Sequence, residues 1–94
     1  MQQPIVEGTH PSGLGGIQKI YRFDNGYGAS VVCTSFSYGG PEGLWELAVI
    51  EFTGKENDKY NLIYDTPITD DVIGYLSEDN LKNLLIEIET LPKR

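Results

Sequence analysis

Hydrophobic and polar positions run in short, β-like stretches for most of the chain and take up a helical spacing only near its end. The stretches IQKIYRFD (17–24) and YGASVVCTSF (27–36) are rich in β-branched and aromatic residues. They flank Asn25-Gly26, the pair suited to the positive φ angles of a two-residue type I′ turn. Such a turn sets the register: Arg22 faces Ala29, Ile20 faces Val31 and Gln18 faces Cys33, while Phe23 faces Gly28, Tyr21 faces Ser30 and Lys19 faces Val32 on the other side. LWELAVIEF (44–52) reads as a third strand and YNLIYD (60–65) as a fourth, separated by the turn-rich SYGGPEG (37–43) and TGKENDK (53–59). Short connections favour an antiparallel meander of about four strands.

After Thr66-Pro67 the pattern changes. Thr69 caps a short helix with Asp70 and Asp71 in its first turn, where the helix dipole favours negative charge, and Val72, Ile73 and Leu76 form its apolar patch. Ser77 is a second N-cap, and Leu81, Leu84, Leu85 and Ile88 then repeat on one helical face. Leu91 extends that stripe and Pro92 stops it. The expectation is an α+β fold, with the sheet packed by a short helix and a C-terminal amphipathic helix. Residues 1–16, dense in glycine and proline, read as a flexible N-terminal arm, and 17–94 as one domain too small for a second core.

One helix covers one face of a small sheet, yet both strand faces are apolar. On the expected register Ile20, Ala29, Val31 and Cys33 share a face, and Tyr21, Phe23, Val32 and Phe36 share the other; Trp45, Leu47 and Val49 oppose Ala48, Ile50 and Phe52. Three outcomes absorb that surplus: coverage by the arm and the 37–43 loop, pairing as a homodimer, or docking of a foreign protein. The candidate partner-binding residues are Tyr21, Phe23, Phe36, Tyr38 and Trp45.

Charge narrows the partners. Fourteen acidic residues against seven basic ones give a net charge of -7, which repels a phosphate backbone, so direct nucleic-acid binding is not expected. Cys33 is the only cysteine, which excludes an internal disulfide and suits a reducing compartment. No stretch approaches the roughly 18 apolar residues of a membrane span, so no membrane partner is expected and a cytoplasmic location is.

Catalytic chemistry has little to stand on. His10 lies in the arm with no serine or cysteine placed to form a nucleophile–base pair. Glu46, Glu51 and Asp65 are carboxylates with no sequence sign of converging. Asp65, Asp70 and Asp71 are the candidate ligands for a hard cation, without EF-hand spacing. A non-enzyme without cofactor is the expectation.

The stretches NGYGASVV (25–32), YGGPEGLWELAV (38–49) and YDTPITDDVIGYL (64–76), with the LKNLLIEIETLP tail, resemble a family of small uncharacterised proteins of bacteriophages and prophages. The resemblance runs from about Ile17 onward and implies a small viral protein made in a bacterial cytoplasm. It carries no activity or ligand. In that setting the expected function is a protein-interaction module, a host-takeover or anti-defence inhibitor. A minor virion component and a small metal-dependent enzyme or ligand binder are the alternatives.

Overall fold

In the computed structural model, which describes residues 3–9, 16–56, 59–64, 66–68 and 72–92, the expected hairpin forms with a three-residue tip instead of a two-residue one. Its strands are β2 (Ile17–Arg22) and β3 (Tyr27–Cys33). Phe23 N–H donates to the Tyr27 carbonyl at 2.9 Å and Gly26 N–H to the Phe23 carbonyl at 3.2 Å, closing a loop of Asp24, Asn25 and Gly26. Gly26 alone in that loop has positive φ, 89°, as the third residue of such a loop requires. Tyr21 therefore pairs with Ala29, Lys19 with Val31 and Ile17 with Cys33, one residue away from the type I′ register.

That one-residue difference moves β2 relative to β3. Side chains alternate along a strand, so Tyr21 now shares a face with Ala29 and Val31, while Ile20 passes to the opposite face with Ser30 and Val32. β4 (Trp45–Phe52) pairs antiparallel with β3, placing Leu47 beside Val31 and Val49 beside Ala29.

β4 is eight residues long, and β5 (Tyr60–Leu62) covers only its last three, through Ile50, Glu51 and Phe52. The free half of its edge takes β6 (Ile73–Leu76), with Leu76 opposite Trp45 and Ile73 opposite Leu47. The short helix expected across this region is thus not formed at Ile73–Leu76, because unpaired β4 backbone groups beside a buried Trp45 and Leu47 need a strand. Its capping residues Thr69, Asp70 and Asp71 lie outside the described residues.

Within the stretch expected as a flexible arm, four of the described residues are paired as a strand. Val6–Thr9 forms β1, antiparallel to β2, with Ile5 N–H donating to the Ile20 carbonyl at 2.7 Å. The sheet is six-stranded, in the order β1-β2-β3-β4-β5 with β6 beside β5 on β4.

The C-terminal helix α1 (Glu78–Glu89) follows the expected stripe, burying Leu81, Leu85 and Ile88. Ser77 Oγ accepts from Asn80 N–H at 3.2 Å, capping the first turn. The helix packs on the face carrying Tyr21, Phe23, Ala29, Val31, Trp45, Leu47 and Val49. The opposite face is mixed. Ile20 and Ile50 are buried there, but Gln18 reaches Ser30, and Arg22 lies 4.4 Å over the Phe52 ring while donating to the carbonyls of Gly54, Lys55 and Glu56. Among the described residues no helix is long and apolar enough to cross a membrane.

Candidate functional site

The five candidate partner-binding aromatics divide sharply. Tyr21, Phe23 and Trp45 are buried in the core beneath α1. Trp45 Nε1 donates to Glu78 Oε1 at 3.0 Å, and Lys19 Nζ sits 4.7 Å from its ring centroid. The three-residue turn is the cause, since it moves Tyr21 and Phe23 to the helix face. Phe36 and Tyr38 are 77% and 61% exposed.

The loop that carries them is held tightly. Thr34 and Ser37 bond each other reciprocally, Ser37 N–H to Thr34 Oγ1 at 3.1 Å and Thr34 N–H to Ser37 Oγ at 2.9 Å. Phe36 N–H also donates to Thr34 Oγ1, and a single 3₁₀ turn at Gly40–Glu42 returns the chain to β4. Tyr38 N–H donates to Glu46 Oε1 at 2.9 Å and its carbonyl accepts from Tyr75 N–H at 3.0 Å. Gly74 lies against the Tyr38 side chain so closely that no Cβ fits between them.

Tyr75 is the residue that sequence reading missed. Two residues of β6, Gly74 and Tyr75, stand where β4 has only Glu46, a bulge that turns the Tyr75 ring outward to 60% exposure while Leu76 enters the core. Its φ is 56°, the left-handed region that a bulky side chain rarely enters. No local signal in Ile73-Gly74-Tyr75-Leu76 announces this, because the bulge exists only against β4.

Relief of that conformation gives a direct test. Tyr75→Asn is expected to raise stability by about 1 kcal/mol, since asparagine tolerates the left-handed region and the lost ring is mostly solvated. A urea midpoint that falls instead shows the ring to be a packing element.

A second feature is a cleft of about 510 Å³ between β1, β2 and α1. Tyr21, Leu81 and Leu85 line it along with Glu7, Lys19 and Lys82. Lys19 Nζ lies 3.7 Å from Glu7 Oε2. Burial, then the charges of Glu7 and Glu78, push the Tyr21 phenol above its ordinary value. The folded state thus holds the proton more tightly than the unfolded chain, and this contribution is intact below about pH 10 and lost as pH rises through the raised value. Tyr21→Phe is accordingly expected to flatten the alkaline fall of the urea midpoint. An unchanged alkaline slope refutes the link.

The cation candidates Asp65, Asp70 and Asp71, and likewise His10, lie outside the described residues. Among the described residues no three His, Cys, Asp or Glu side chains converge as a metal site. Cys33 is half-buried, with its Sγ 3.7 Å from the Gly40 carbonyl oxygen. No protein-family model, no curated protein and no solved structure matches the chain.

Proposed function

We propose that this chain is a protein-interaction module that presents Phe36, Tyr38 and Tyr75 to a partner protein with a basic surface. The observation that carries the reading is Tyr75. An exposed ring at a φ of 56° is retained at an expense in stability that asparagine or glycine would avoid, and backbone strain of this kind concentrates where a surface has work to do. Its neighbour Tyr38 is joined to it through the backbone, and the hydrogen-bonded 34–44 segment holds Tyr38 and Phe36 with little ordering left to be done on binding. Aromatic rings on a rigid loop are the side chains that most often anchor protein interfaces. The net charge of -7 steers such a surface toward a basic partner.

The phage resemblance gives the setting: a bacterial cytoplasm, with a host protein as the partner that is inhibited or redirected. A photo-crosslinking amino acid at position 36 tests it in infected cells. The expected result is one discrete host-protein adduct that disappears in the Tyr75→Asn background, although that variant is at least as stable. Adducts that are diffuse, or unaffected by Tyr75→Asn, refute the reading. A homodimer that Phe36→Ser dissolves in light scattering replaces the foreign partner with a second copy. Recovery of the chain in stoichiometric amount from purified particles replaces it with a virion role.

A further inference from the structure

The hairpin tip contains a residue pair whose own reactivity the fold restrains. In Asn-Gly, the glycine nitrogen has no neighbouring Cβ to shield it, so attack on the preceding side-chain amide meets the least hindrance of any sequence. Here the Asn25 carboxamide is buried. Its Nδ2 donates to the carbonyls of Ile88, Glu89 and Leu91 at 2.8, 3.2 and 3.0 Å, and its Oδ1 accepts from Tyr27 N–H at 3.1 Å. Gly26 N–H is meanwhile engaged with the Phe23 carbonyl. The Asn25 carboxamide is thus held at both ends, and the Gly26 N–H is directed at an oxygen other than the Asn25 side chain.

We propose that Asn25 is a self-modification site, gated by local opening of the hairpin tip from the end of α1. On opening, the Gly26 nitrogen gives its proton to solvent base and bonds to Asn25 Cγ. The Cγ–Nδ2 bond breaks, and Nδ2 departs as ammonia with a proton from water. Water then opens the resulting five-membered imide at either carbonyl, leaving aspartate or isoaspartate at position 25. The net change is amide plus water to acid plus ammonia, with no redox partner.

Neither product restores the latch. Aspartate sets a carboxylate against the carbonyl oxygens that accepted from Nδ2, at the helix end whose dipole is negative. Isoaspartate lengthens the backbone of a tip whose three-residue register places Tyr21 and Phe23 under the helix. A transient opening thereby becomes permanent, and the working life of each molecule is set by how often this one contact opens. The site lies at the opposite end of β3 from Phe36 and Tyr38 and is independent of any partner.

The test uses the whole wild-type chain, incubated at neutral pH folded and in urea, with the peptide containing residue 25 followed by mass spectrometry. Conversion in the folded protein is expected to be at least roughly ten-fold slower, because reaction tracks the population of the open form. The modified protein, isolated and refolded, is expected to melt at lower urea. Leu91→Ala loosens the contact without touching the Asn25-Gly26 pair and is expected to speed native-condition conversion several-fold. Equal rates folded and unfolded, a modified protein with the wild-type midpoint, or a destabilised Leu91→Ala that converts no faster each overturn the proposal.

Discussion

Gly28→Ala is expected to destabilise the fold by about 3 kcal/mol, a large part of the roughly 5–15 kcal/mol that holds a domain of this kind. A methyl group at Gly28 runs into the Tyr21 carbonyl across the hairpin and comes within 2.6 Å of Phe52 Cε2. The first obstacle is backbone of the paired strand and cannot rotate away. The second is a ring held from above by the Arg22 guanidinium, which is itself bonded to the 54–56 carbonyls, and from the side by the Tyr60 ring at 5.8 Å. Moving Phe52 therefore disturbs the layer beside Ile50, which is fully buried and pairs with Gly28. Urea unfolding of Gly28→Ala beside Gly28→Ala/Phe52→Leu separates the two obstacles. Partial recovery in the double variant is the expected result, because the smaller side chain clears the ring but not the carbonyl. Wild-type stability in the single variant would show that β2 and β3 can part locally at no consequence.

Asn25→Asp is expected to be the more damaging of two changes at the hairpin tip, at about 3 kcal/mol against about 2 kcal/mol for Asn25→Ala. Alanine leaves the carbonyls of Ile88, Glu89 and Leu91 without the donor that Nδ2 supplies, the bond to Ile88 being buried and the other two half-buried. Aspartate does the same and adds negative charge facing those oxygens. The partial negative charge of those carbonyls at the helix end raises the folded-state pKa of the introduced carboxyl above the ordinary value of about 4. The deficit is then largest above the raised pKa and shrinks as pH falls through it, since the protonated acid again has a donor. Urea midpoints of the two variants from neutral pH down to about pH 4 should converge or cross. Parallel curves would show that the introduced carboxyl does not face the helix end.

The same residue explains why the register was not legible. Asn25-Gly26 by itself favours a two-residue turn, because both residues tolerate positive φ. In the fold only Gly26 has positive φ, and Asn25 instead turns its side chain to a helix end 63 residues away. No window along the chain contains that contact. Its consequence is large: Tyr21 and Phe23 enter the core with Trp45, and the apolar surplus ascribed to an uncovered sheet face is mostly absorbed beneath α1. Phe36 and Tyr38 were legible as surface aromatics because they lie in a glycine-rich loop, whereas Tyr75 was not, its exposure being the product of a bulge against β4.

What the sequence by itself determined is what short-range physics controls. Ser77, the Leu81–Ile88 stripe and Pro92 specify α1 within its own turns, and the four stretches at 17–22, 27–33, 45–52 and 60–62 become strands because β-branched and aromatic residues suit a half-buried pleated surface. Only the tertiary structure decided which faces meet, that Val6–Thr9 adds an edge strand, and that Ile73–Leu76 pairs as a strand despite the helical signals before it. Those choices are made by unpaired backbone on β2 and β4 and by the carbonyls at the end of α1, which are satisfied only by groups distant in the chain.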